Sequence, residues 1–175
     1  MLSLVQLQDR YVDAVYHDTV ISSRNAQSGK FEEAIYGLPL ALDTLALYYN
    51  RDLLNLAGIP EPPKTWAELQ VAVKKITKLD DKGNILISAA ALGAAHNVER
   101  AADILALLMM QNGAEMLDRS GAAVFDRVPL ALKDRPVPPG EEALMFYTDF
   151  ANPLKEVYTW NETLPPSLTA FANGK

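Results

Sequence analysis

The run Tyr36–Trp66, YGLPLALDTLALYYNRDLLNLAGIPEPPKTW, sets out in fixed order a bend, an apolar stretch, a short helix and a capping signal. Gly37 and Pro39 bracket a point where the chain can change direction, because glycine tolerates positive φ and proline holds φ near one value. Past that bend, Leu45–Tyr49 is leucine and tyrosine with little polar interruption, which predicts a buried strand with Tyr48 and Tyr49 in the sheet core. Asn50 stops it before a short helix over Arg51–Ala57, and Gly58 closes that helix. Pro62 and Pro63 bar helix, after which Thr65 and Glu68 have the spacing of a capping box for the next one.

Working outward, the helix predicted from Trp66 to Leu79 places Leu69, Ala72, Val73, Ile76 and Leu79 in one apolar stripe. Lys74, Lys75 and Lys78 fall mainly on its solvent side. Asp80–Asn84 reads as a turn, and Ile85–Ala89 as a strand lying beside Leu45–Tyr49. Two strands separated by a helix predict a right-handed βαβ crossover with parallel pairing. Asn97 is placed to cap a long helix over Val98–Gln111, with Glu99 in its first turn and Asn112–Gly113 at its end. That helix is apolar on almost every side, so it is expected to be central and buried on more than one side. A short strand near Val124, a proline-rich loop over 129–139, a helix over Glu141–Phe150 and a last helix from Ser167 complete the order. Upstream, Val12, Val15, Tyr16 and Thr19 predict one helix over Asp9–Val20, followed by the polar loop SSRNAQSGK at 22–30. The sum is an α/β, helix-rich domain with a small mixed or parallel sheet flanked by helices.

Composition narrows the chemistry. The 175 residues carry a net charge of −6 and no basic stripe, which argues against nucleic acid as a partner. No cysteine occurs, so disulfides and thiolate metal sites are ruled out. Gln8, Asp9 and Arg10 interrupt the start too early for the apolar core of a signal peptide, and no run approaches the roughly 20 apolar residues that span a membrane. Catalytic motifs are absent: no GxSxG, no HExxH and no phosphate loop appears, and Asp80–Asn84 lacks the alternating oxygens of a calcium loop. His17 and His96 stand far apart in sequence, so neither metal nor cofactor is expected.

Tyr36–Trp66 resembles the extracellular solute-binding proteins of ABC-type sugar importers, the family that includes the maltose-binding protein. The shared pattern is Tyr-Gly-x-Pro, an acidic residue, a strand ending in Tyr-Asn, a helix with Ala-Gly-Ile, and Pro-x-Thr-Trp. The chain shows each part, and AFANGK at 170–175 matches the family's Ala-Phe-x-x-Gly-Lys. The resemblance implies a periplasmic-binding-protein-like lobe. Because such receptors are longer and bilobal, it also implies a fragment. Residues 1–38 would be the end of the first lobe with the hinge strand, and 39–175 most of the second lobe, truncated before the return crossing. Its implied function is to bind a small solute, a sugar, between lobes that close about Gly37 and Pro39, and then to dock on a membrane permease. The implied parent is a monomer, periplasmic or held outside the cell by a lipid anchor upstream of this chain, and it is not an enzyme.

Sugar sites combine carboxylates and amides, which grip hydroxyls in pairs, with aromatic faces that stack on a pyranose ring. Asp43 stands where the family carries an acidic residue facing the ligand. His96, Asn97, Glu99 and Arg100 lie in the loop AAHNVER between a predicted strand end and a helix start, where α/β folds expose ligands to free backbone N–H groups. Trp160 and Asn161 pair an aromatic with an amide in a loop. The residues also admit plainer readings: Asp43 capping a turn, Asn97 capping a helix with Glu99 and Arg100 paired beside it, and Trp160 packed in the core. A glycoside-active enzyme or an adaptor domain sharing the lobe are the rival functions.

Overall fold

A computed structural model describes residues 2–118 and 120–174. The chain divides into two compact units, Met1–Thr44 and Leu45–Lys175. Lys175, the last residue of the AFANGK motif, lies outside the described residues.

The first unit holds two helices and a hairpin. Helix α1 spans Leu4–Arg10 and α2 spans Asp13–Thr19. The single helix expected over Asp9–Val20 is broken because Tyr11 and Val12 adopt extended backbone (ψ 159° and 154°). Ser3 starts α1 earlier, through a capping box with Gln6. Leu7 and Val15, one from each helix, are the buried side chains of the pair. Strand β1, Val20–Arg24, pairs antiparallel with β2, Phe31–Ile35. Ser22, Ser23 and Arg24 of the polar run expected as loop are therefore strand, and the other six residues are the turn of a hairpin. Its turn is made by Asn25, whose side-chain oxygen accepts from the N–H groups of Gln27 and Ser28, and by Gly29 at φ +68°.

Between Ile35 and Arg51 no helix or strand forms. The expected strand over Leu45–Tyr49 is absent, and Tyr48, expected in a sheet core, is 77% exposed. The reason is physical: strand preference describes a side chain that fits a paired, half-buried surface, and among the described residues no strand pairs with this segment.

In the second unit, α3 spans Arg51–Leu56 and α4 spans Trp66–Ile76. Asn50 caps α3, its side-chain oxygen accepting from the N–H groups of Asp52 and Leu53 at 2.9 and 3.2 Å. Thr65 caps α4, while the Glu68 carboxylate reaches back to Lys64 N–H at 2.7 Å, one residue before the position a capping box would use. Helix α4 stops three residues short of the expected end, because Thr77 turns extended (ψ 131°) and releases β3, Lys78–Leu79. This strand pairs antiparallel with β4, Ile85–Ile87. The parallel βαβ unit is thus replaced by a hairpin. A five-residue link closes a hairpin, whereas a parallel pair needs a crossover of about a dozen residues or more. Asp80 holds that link through the N–H groups of Lys82 and Asn84 at 2.8 Å and the Asn84 side-chain amide at 2.7 Å. These bonds keep its carboxyl below the usual aspartate range. Both sheets are two-stranded and antiparallel, so the mixed or parallel sheet is corrected and the helix-rich character stands.

Helix α5 runs over Ala101–Gln111 and packs on α6, Pro139–Asp149; the last helix, α7, spans Ser167–Ala172. Leu108 and Met109 of α5 join Val73 of α4 and Tyr147 and Phe150 from the end of α6 in the main core. Burying Phe150 completely contributes about 1.5–3 kcal/mol. Met110 remains 53% exposed, so α5 is not buried on every side. An isolated bridge, Leu117 with Ala123, stands where a short strand near Val124 was expected.

Gly140, in the first turn of α6, lies against the Phe125 carbonyl: a Cβ added there would sit 2.1 Å from that oxygen. Glycine to alanine in a helix ordinarily stabilises by about 0.5–1 kcal/mol. Here the sign reverses, and Gly140→Ala is expected to destabilise by about 1–3 kcal/mol in urea unfolding.

Candidate functional site

Two loops of the second unit form the candidate site: residues 88–100, which run from β4 to α5, and residues 157–167, which lead to α7. Thr159, fully buried, joins the base of both. Its hydroxyl oxygen accepts from the Ala89 N–H at 2.7 Å and from the Thr77 hydroxyl at 2.8 Å, and lies 3.3 Å from the Ser88 hydroxyl. The N–H groups of Thr159 and Trp160 both donate to the Phe150 carbonyl, which fixes the second loop to the end of α6.

Asn97 joins the two loops at their centre. Its side-chain oxygen accepts from the Trp160 indole N–H at 2.9 Å, while its amide donates to the carbonyls of Asn161 and Leu164 at 2.9 and 3.0 Å. Its backbone carbonyl accepts from Ser167 N–H, and Ser167 Oγ in turn accepts from Glu99 N–H at 2.9 Å. Asn97 is therefore no helix cap. Arg100 occupies that position, in the left-handed conformation (φ 60°, ψ 28°), and α5 begins three residues later than expected. No side-chain bond caps the helix.

The sequence-derived candidates thus separate by role. Trp160, 1% exposed, packs with Ala94, Val98 and Ala170, and its ring is core rather than a stacking face. Asn161 folds on its own loop: its side-chain oxygen accepts from the Thr163 N–H and hydroxyl, and its amide donates to the Tyr158 hydroxyl at 2.7 Å. His96, Glu99 and Arg100 are exposed on the loop that Asn97 holds, and Arg100 also pairs with Asp103 at 3.1 Å. Asp43 belongs to the first unit, is exposed, and accepts from the adjacent Thr44 N–H at 2.9 Å. Gly37, proposed with Pro39 as a hinge, does not use the positive φ that glycine permits.

Two supports were missed by sequence reading. Thr159 gives no signal of its role, because its three partners come from distant segments. Tyr147 of α6 donates its phenol O–H to the Ala94 carbonyl at 2.7 Å and so anchors the loop before His96. Gly93 allows this approach: at φ +98°, a Cβ there would meet the Ala151 nitrogen at 2.5 Å.

The arrangement offers an imidazole, a carboxylate and a guanidinium on one held loop, a set of donors and acceptors for a polar solute. Among the described residues no group of three potential metal ligands occurs, and no helix is long and apolar enough to cross a membrane.

Comparison with known proteins gives this geometry a family. The description "Bacterial extracellular solute-binding protein" matches residues 3–175. The chain belongs to that family. Proteins of Brucella abortus and Brucella suis, named as candidate binding proteins, are each 50% identical over 44 residues, which is 25% of this chain and 11% of theirs. A Deinococcus radiodurans protein, named as a candidate ABC transporter-binding protein, is 37% identical over 68 residues, 39% of this chain and 15% of its own. The matched stretches therefore span well under half of these relatives. No solved structure matches the chain. The family is described as one of bacterial extracellular solute-binding proteins, and the Deinococcus protein is named for ABC transporter binding.

Asn97→Ala would strip partners from the Trp160 N–H and two loop carbonyls. It is expected to destabilise the domain by about 2–3 kcal/mol in urea, with Trp160 fluorescence shifting to the red. Tyr147 adds a pH signature. Burial pushes its phenol above the ordinary value of 10.0, with a backbone hydrogen bond opposing. The fold favours the neutral phenol, so this contribution is complete below pH 10.0 and is lost as pH rises through the raised folded value. Tyr147→Phe should therefore flatten the alkaline limb of the stability–pH curve.

Proposed function

We propose that the chain is most of the second lobe of a bilobal receptor that captures a carbohydrate-like solute and delivers it to an ABC permease. Residues 1–38 are the end of the first lobe, and the intact receptor is a monomer held outside the cell, by a lipid anchor upstream of these residues. The observation that carries the reading is the Asn97 clamp, which holds His96, Glu99 and Arg100 exposed on a fixed loop. Fixed polar groups suit hydroxyl recognition, because the loop need not lose its freedom again on binding.

Asp43 adds a carboxylate from the first crossing between lobes, and Gly37 and Pro39 absorb the hinge motion. The Asn97, Trp160 and Asn161 group serves the site by position. Closure buries the solute, and its differential affinity for the closed form is what the permease reads. The reading is capture without chemistry.

Calorimetry on the intact receptor with a panel of sugars tests this. His96→Ala, Glu99→Gln and Arg100→Ala should each weaken binding about 5- to 30-fold, roughly 1–2 kcal/mol, with Tm unchanged. Full affinity in all three variants would remove the loop from the site. The 175 residues alone are expected to bind far more weakly than the intact receptor, since one side of the site is missing; micromolar binding by the chain alone would count against the two-lobed reading.

A further inference from the structure

Two asparagines stand directly before glycine, Asn112 before Gly113 and Asn173 before Gly174, and neither pair serves the proposed capture of a solute. An asparagine so placed can lose its side-chain amide without any enzyme. The following backbone nitrogen attacks Cγ, the Cγ–Nδ2 bond breaks, and ammonia leaves carrying the proton of the attacking nitrogen. Water then opens the cyclic imide at either carbonyl, which leaves aspartate or isoaspartate. Glycine favours the attack, because it has no Cβ to shield its nitrogen and its backbone turns freely.

The fold presents both pairs in one backbone conformation. Each asparagine is the C-cap of its helix, Asn112 of α5 (φ −80°, ψ −4°) and Asn173 of α7 (φ −89°, ψ 3°), and each glycine is left-handed (φ +93° and +69°). Each glycine N–H donates to a carbonyl of the last turn, that of Met110 at 3.0 Å and that of Phe171 at 3.1 Å. In both places the nitrogen must leave the helix end before it can attack.

The side chains differ. The Asn112 amide donates to the Pro139 carbonyl at 2.8 Å and to the Glu142 carboxylate at 3.0 Å, and its oxygen accepts from Arg135 at 3.3 Å. Leu132 crowds Gly113, where an added Cβ would lie 3.0 Å from its Cδ1. Asn173 is exposed, and among the described residues no hydrogen bond holds its side chain; a Cβ added at Gly174 would meet nothing within 4 Å. Helix α5 is packed into the main core, whereas α7 is six residues long with no side-chain bond at its start, so its last turn opens at little cost.

We infer that Asn173 is a site of spontaneous conversion to aspartate and isoaspartate, and that Asn112, with the same neighbour and the same backbone, is held unreactive by Pro139, Glu142 and Arg135. The product sets a carboxylate at the negative end of the α7 dipole, and isoaspartate also lengthens the main chain by a methylene. Helix α7 carries Ala170 against Trp160, so conversion loosens a support of the candidate loops. None of this depends on which solute is bound.

Peptide mass mapping of the full-length protein, aged in warm, mildly alkaline buffer, tests it, with isoaspartate-specific methylation as a second readout. In the folded protein Asn173 should convert at least about 10-fold faster than Asn112, whereas in urea the two rates should agree within about threefold. Asn173→Ser should abolish the fast conversion and leave Asn112 as slow as before. Arg135→Ala combined with Glu142→Ala should bring the Asn112 rate toward that of Asn173. Equal rates in the folded protein would overturn the proposal, and so would a difference that persists undiminished in urea. Because the urea comparison uses the unaltered chain, it decides the matter even where the double variant does not fold.

Discussion

The second unit turns on one amide side chain. Asn97 has one acceptor oxygen and one donor nitrogen in its side chain, and the fold uses both: the oxygen for an indole N–H, the nitrogen for two carbonyls. No aliphatic residue of similar size can do this, and aspartate would set an acceptor against two carbonyl oxygens. What the bonds hold matters more than their number. They tie the approach to α5 to the approach to α7, over a tryptophan that has no other way to satisfy its N–H while buried. The exposed residues His96 and Glu99 owe their positions to this half-buried group beside them.

Around that clamp the loops are held from below by groups of different kinds. A threonine hydroxyl gathers Thr77 and the Ala89 N–H, a tyrosine phenol holds Ala94, and a missing side chain at Gly93 lets the loop pass against the end of α6. Each is short-range and directional, whereas the core of α4, α5 and α6 is held by shape and burial. The apolar core sets where the helices lie. The polar contacts set how the loops leave them.

The parts of this structure that could be read from sequence are those decided by neighbours in the chain. Asn50 before Arg51, Gly58 after Ala57, Thr65 before Trp66 and the Asp80 turn all act within a few residues, and the structure has them in place. Strand pairing is a different matter. Leu45–Tyr49 has the composition of a strand but depends on a partner, and the Asp80 link made β3 the partner of β4. Asn97 was misread for a related reason: asparagine ahead of an apolar run is the sign of a helix cap, and the competing partners, Trp160, Asn161 and Leu164, lie more than sixty residues away. Of the candidate site, the loop was visible and its supports were not. Composition marks exposed polar residues in a loop; it does not mark the hydroxyls and amides that hold the loop still.

The chain contains two tryptophans, and the fold gives them unlike surroundings. Trp160 is enclosed and its N–H is bound to Asn97; Trp66, at the start of α4, is partly open to water and bound through its N–H to the Gln111 side chain at 2.7 Å. Their emission is accordingly expected to split into a blue component from the clamp and a redder one from the helix surface. A single phenylalanine at position 66 would leave an optical probe built into the loop junction itself, one that reports on the candidate site without any attached dye.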